Sequence, residues 1–161
     1  MWAVLAAWRW ADWNLFRNFH ATILYMSSMN LLYLLLTSDY RLWIEQSNLG
    51  LPHTLIALLY TFIVFPCTVM LFLSNYPDKL GSQILHIGKW IIIYIGTEWV
   101  GHLYGFVYYT HGWSLVWSLL FLIVMFPMLR LHHKRPILAY LISLIIIAFL
   151  LDWFDVPWKS L

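Results

Sequence analysis

Two ionisable side chains, Glu98 and His102, stand four residues apart in a stretch otherwise rich in Ile, Tyr, Trp, Gly and Val. On a helix that spacing places them on one face, one turn apart and able to touch. Tyr94, Gly101, Gly105, Tyr108 and Tyr109 fall on the same side at helical spacing, while Ile92, Trp99 and Val100 point elsewhere. A charged side chain at the centre of a bilayer costs on the order of 2.5–3.5 kcal/mol on insertion scales. Glu98 must therefore be protonated, paired or beside water. Protonated His102 is the nearest counter-charge, and Tyr94, Tyr108, Ser27 and Asn30 can offer hydrogen bonds. Glu98, His102, Tyr94 and Asn30 form the candidate ligand or proton site. The competing reading is a Glu–His pair that only fixes helix register.

Two ligands at i and i+4 suit one side of a divalent-metal site, but a third protein ligand is needed. His53, His111 and Asp152 are the residues that can complete a set with Glu98 and His102, in the outer half of the membrane. No His-Glu-x-x-His motif is present, and no Gly-rich phosphate loop. Ser27, Ser28, Ser114 and Ser118 read as helix hydroxyls that pack or bond back to the chain. The single cysteine, Cys67, sits between Phe65-Pro66 and Thr68-Val69 and reads as an inert buried thiol. A second dense cluster, Arg130, His132, His133, Lys134 and Arg135, reads as a positive-inside anchor or as a contact for anionic lipid headgroups.

Composition decides what must position these groups. Of 161 residues, 63% are hydrophobic and only 10% are charged, with a mean hydropathy of +0.76. Soluble domains carry roughly 25% charged residues, so a water-soluble globule is excluded, and disorder with it. A net charge of +2 is too small and too scattered for nucleic-acid binding. A helix rises 1.5 Å per residue, so crossing a hydrocarbon core of about 30 Å takes about 20 residues. Five stretches qualify: 21–38, 53–74, 84–109, 113–131 and 137–154. The short breaks between them predict an all-α integral membrane protein, one antiparallel bundle forming a single domain over 1–161. Gly101-x-x-x-Gly105 suggests a close helix approach, and Pro66 and Pro127 should kink their helices.

Residues 2–18 carry Trp2, Trp8, Trp10 and Trp13 around Arg9, Asp12 and Arg17. They read as an interfacial helix, with a sixth span as the alternative. With five spans, the N-terminal side collects Arg9, Arg17, Lys79, Lys89, Arg130, Lys134 and Arg135, and the other side only Arg41 and Lys159. That bias predicts a cytoplasmic N-terminus and an extracytoplasmic C-terminus. The aromatic residues Trp43, Trp113, Trp153 and Trp158 then line the outer rim.

Several segments carry a resemblance. Arg9-Trp10-Ala11-Asp12-Trp13 with Phe16-Arg17-Asn18, His53-Thr54-Leu55-Ile56 running to Phe65-Pro66, Glu98-Trp99-Val100-Gly101-His102, and Met125-Phe126-Pro127-Met128-Leu129-Arg130 through Pro136 resemble a family of small uncharacterised multipass proteins of spore-forming Firmicutes. The resemblance implies a bacterial inner membrane and transfers no catalytic residue. Three functions stay open at this level. The first is an outward-facing Glu/His site that binds or conducts a proton, metal ion or small polar ligand. The second is a membrane-embedded enzyme acting on lipid or lipid-linked substrate, and the third a structural or partner subunit of a membrane complex, with another membrane protein or a homo-oligomer as the partner.

Overall fold

The computed structural model describes residues 2–46 and 50–157, so Trp158 and Lys159 lie outside the described residues. The chain is mostly helical. Helix α1 covers Trp2–Trp10 and a 3-10 turn Trp13–Leu15 leads into α2, Phe16–Leu36. Strand β1 is Trp43–Glu45; α3, His53–Leu59, passes through a π-helical turn, Tyr60–Val64, into α4, Phe65–Ser74. Then come α5, Leu80–Leu103, β2, Val107–Tyr109, α6, Leu115–Lys134, and α7, Pro136–Trp153.

Four helical stretches are long and apolar enough to cross a membrane: Trp13–Leu36, His53–Ser74, Leu115–Lys134 and Pro136–Trp153. Helix α5 matches them in length at 24 residues but is not among the four. Its Lys89, Glu98, four glycines and several hydroxyls lower its apolar character.

The N-terminal segment departs from expectation. At nine residues α1 is too short to cross a bilayer, and residues 16–18 already belong to α2. The chain leaves the helix at Asp12, whose extended backbone lets its carboxylate accept from the Asn14 N–H at 3.0 Å. Arg9, Asp12 and Arg17 therefore do not share one helical face. Ala3 and Ala7 are buried, and the Trp13 indole donates to the Ala7 carbonyl at 3.1 Å. These small residues let α1 lie against α4, where the Asp12 N–H donates to Ser74 Oγ at 3.3 Å.

The stretch 84–109 is not one helix. Helix α5 stops at Leu103, and Gly105 adopts φ +72°. The Phe106 N–H then donates to the Gly101 carbonyl at 2.8 Å, and the Gly105 N–H to the His102 carbonyl at 3.1 Å. Paired bonds of this kind, closed by a left-handed glycine, end a helix. Gly101 has a second use: a Cβ there would lie 3.2 Å from Val107, which the returning chain brings back. The two glycines thus serve a turn, not a helix–helix contact. Gly105→Ala is expected to cost about 1–2 kcal/mol, the left-handed penalty of an L-residue. Gly96→Ala, in open space inside α5, should be neutral or gain up to about 1 kcal/mol. Thermal unfolding of the two variants in detergent checks the contrast.

Released from the helix, the chain pairs with β1 as an antiparallel ribbon, Trp43 opposite Tyr109, Ile44 opposite Tyr108 and Glu45 opposite Val107. The Thr110 N–H to Leu42 carbonyl bond (2.9 Å) and the Gln46 N–H to Phe106 carbonyl bond (2.8 Å) extend it at both ends. Beneath it Leu42, Trp113, Phe154 and Val156 are buried together. The main core lies among the helices, with Phe72, Phe126, Met70, Leu129 and Val69 fully buried.

The two prolines behave differently. Pro66 follows the π-helical turn, where the Phe65 N–H reaches back to the Tyr60 carbonyl. This widened turn accommodates a residue that lacks an N–H and crowds the preceding turn. Pro127 lies inside α6, which continues as helix through Lys134. Arg135 alone then joins α6 to α7, and Pro136 opens the next helix, where a missing N–H is harmless.

Candidate functional site

Glu98, half-buried near the end of α5, holds three elements together. Its Oε1 accepts from the Tyr109 hydroxyl at 2.9 Å and from the Ser118 hydroxyl of α6. The Trp113 indole donates to Ser118 Oγ at 2.9 Å. An indole N–H only donates, so the Ser118 proton is free to point at Glu98.

His102 does not pair with Glu98. The one approach of a histidine to a carboxylate within 4.0 Å among the described residues is elsewhere, at Glu45 and His53. Tyr109 stands between the expected partners: it bonds Glu98 and stacks on the His102 ring at 4.8 Å. His102 Nδ1 lies 2.9 Å from the Val107 carbonyl and donates to it.

The other expected residues are dispersed. Tyr94 meets Thr68 of α4. Asn30 donates to Thr61 Oγ1 at 2.7 Å, and Ser27 to the Thr61 carbonyl at 3.0 Å. His111 stacks on Tyr40 at 3.7 Å with Nδ1 2.9 Å from the Arg41 carbonyl. Asp152 is exposed on the last turn of α7. Among the described residues no three His, Cys, Asp or Glu side chains converge to hold a metal, so Glu98, His102, His53, His111 and Asp152 do not form one ligand set.

The structure does bring together groups that sequence reasoning left apart. Under β1 lies a cavity of about 40 Å³ whose mostly apolar lining, including Leu34, Ala57 and Phe65, also carries Arg41, Glu45 and His53. A water needs about 10–15 Å³ measured this way, so the cavity has room for one. Glu45 Oε2 is 3.7 Å from His53 Nε2, beyond hydrogen-bond range, and among the described residues neither ring nitrogen of His53 has a hydrogen-bond partner. Burial raises the Glu45 pKa above the usual carboxylate value and the charge of Glu98 pushes the same way, against hydrogen bonding from its own backbone and Trp43 and the charge of Arg41. Alternation in Trp43-Ile44-Glu45 was the available signal, since it turns Trp43 and Glu45 to one face. Three residues are too few to announce a strand, and the partner strand lies far away in sequence.

A raised carboxylate pKa has a definite sign. The folded state holds the Glu45 proton more tightly than the unfolded chain. Its contribution to stability is therefore complete below the ordinary glutamate pKa and is lost as pH rises through the raised one. Wild-type protein is expected to lose thermal stability across that window, and Glu45→Gln to show a flatter profile; parallel melting curves in detergent would contradict this.

The basic cluster also divides. His132 is 3% exposed, bonded to Thr22 Oγ1 at 3.1 Å and stacked on Tyr25 at 4.2 Å. It faces the bundle interior rather than headgroups, because two residues beyond Arg130 the helix has turned by roughly 200°. His133 packs its ring on Phe19 at 5.2 Å. Arg130, Lys134 and Arg135 remain toward the outside. Comparison with protein-family models, curated proteins and solved structures gave no match.

Proposed function

We propose that the chain is a multipass membrane protein of five spans, α5 joining the four apolar stretches as the third in order, whose ribbon-covered end takes up and releases a proton between Glu45 and His53. The carrying observation is the 3.7 Å gap between Glu45 and His53 beside a small cavity, with both histidine nitrogens lacking a hydrogen-bond partner among the described residues. The two groups are close enough for a proton to pass between them after a small side-chain shift, and the cavity is too small for an organic substrate. Glu98 anchors the ribbon and biases Glu45 through its charge. The adjacent π-helical turn contributes Tyr60 to the lining, and such turns recur at functional sites.

The cations at the α1, α4 and α6 termini, against Arg41 at the ribbon, support a cytoplasmic N-terminus; a reporter at Leu161 active in the cytoplasm would reverse that orientation. A bacterial inner membrane rests on the resemblance alone. Infrared difference spectra across a pH step test the site. A protonated-carboxyl band should titrate in wild type, vanish in Glu45→Gln and persist in Asp78→Asn. A spectrum indifferent to Glu45 removes the proposal.

A further inference from the structure

A groove of about 490 Å³ runs along the C-terminal half of α6 to the α6–α7 corner, lined by Pro127, Met128, Arg130, Leu131, Lys134 and Arg135. Its chemistry is graded. Pro127, Met128 and Leu131 supply an apolar floor, and Arg130, Lys134 and Arg135 supply three positive charges toward one end. Positions 127, 130, 131 and 134 recur at helical spacing, so this is one continuous strip of α6.

The cations are not used internally. Among the described residues none of the three has a carboxylate within 4.0 Å. Arg130 lies 4.5 Å over the Tyr76 ring, which holds its guanidinium without neutralising it. Lys134 and Arg135 are exposed, and Arg135 is fixed as the single residue between two helices. A soluble anion would have no use for the apolar floor, and a neutral lipid none for three unneutralised charges.

From this complementarity we infer that the groove seats one anionic phospholipid, its phosphate among Arg130, Lys134 and Arg135 and an acyl chain along Leu131, Met128 and Pro127. The inference rests on α6 and α7 crossing the membrane, and not on the proton site. Helix termini beside a bilayer gather acidic lipids through basic side chains. Here a shaped apolar strip continues the charged end, which distinguishes a seated lipid from a diffuse charge cloud.

The test uses the full chain purified in mild detergent. Phosphatidylglycerol, phosphatidylcholine and inorganic phosphate are added separately, with retention read by native mass spectrometry and stability by melting. Phosphatidylglycerol should be retained at one per chain and raise the melting midpoint, with no such effect from phosphatidylcholine or phosphate. The double variant Lys134→Gln, Arg135→Gln should weaken retention at least tenfold while leaving helix content unchanged, and if it does not fold the two single variants carry the same comparison. Equal retention of both lipids, an equal shift from phosphate, or full retention by the variants overturns the inference. A chain that fractionates away from membranes overturns the spanning assignment as well. Loss of the infrared band in Glu45→Gln with lipid retention intact shows that the two sites are separate.

Discussion

Glu98→Leu should lower the stability of the folded chain by about 2–4 kcal/mol, and Glu98→Gln by roughly half of that. The carboxylate accepts two hydroxyl bonds at one oxygen, from Tyr109 and Ser118. Bonds to a charged acceptor are worth about 1.5–3 kcal/mol each, and the half-exposed position of Glu98 discounts their sum. Leucine leaves both hydroxyls without an acceptor and detaches β2 from α5 and α6 together. Glutamine keeps an oxygen with two lone pairs for these donors but loses the charge that strengthens the bonds. Adding Tyr109→Phe to Glu98→Leu should recover part of the loss, because one stranded donor is then gone, whereas adding Ser118→Ala should not, because it takes the acceptor from the buried Trp113 indole. Thermal unfolding followed by near-ultraviolet circular dichroism reads all of these, and a neutral Glu98→Leu would mean that the carboxylate holds nothing. Glu98→Gln has a second readout. Without that charge the Glu45 pKa falls toward the ordinary value, so the Glu45 transition should move to lower pH.

Hydropathy carried the helices and little else. The long apolar runs of α2, of α3 through α4, of α6 and of α7 declare themselves because each is long enough to cross a bilayer. The ribbon was hidden by its own brevity. Val107-Tyr108-Tyr109 continues the helical stripe of α5 in projection, so periodicity extends the helix through it. Only the left-handed backbone at Gly105 breaks the phase. Both roles of a glycine, close packing and turning, look alike in sequence, and the following Val-Tyr-Tyr with Thr110 was the weak hint of extended chain.

The site was legible in kind but not in membership. An acid in an apolar helix had to be compensated, and Glu98 is, though by hydroxyls delivered from β2 and α6 and not by the histidine four residues on. Local spacing weighs only partners on the same helix; the ribbon supplied a better one from outside. Glu45 and Arg41 sit in the segment 39–52, where charge is unremarkable until the strand folds it over His53. His132 shows the reverse error. Its charged neighbours suggested an outward role, yet helix phase sends it inward to Thr22.

The same phase argument yields the second large effect, in the core. Phe126 is fully buried, with its ring 5.1 Å from Phe72, 5.4 Å from Tyr94 and 6.0 Å from Trp90. In water a buried Phe→Ala change costs about 3–5 kcal/mol. Between helices that cross a bilayer the apolar transfer part is largely absent, since lipid tails solvate an aromatic ring as well as protein does. What remains is lost dispersion across the cavity, so Phe126→Ala is expected at or just below the bottom of that range, about 2–3 kcal/mol. Trp99, the larger ring, is 52% exposed, and Trp99→Ala should fall within about 0.5 kcal/mol of wild type. Unfolding by sodium dodecyl sulfate titration, followed by far-ultraviolet circular dichroism, reads both. Equal costs at the two positions would mean that the helices do not pack around Phe72 and Phe126, and that the ribbon end alone holds the bundle together.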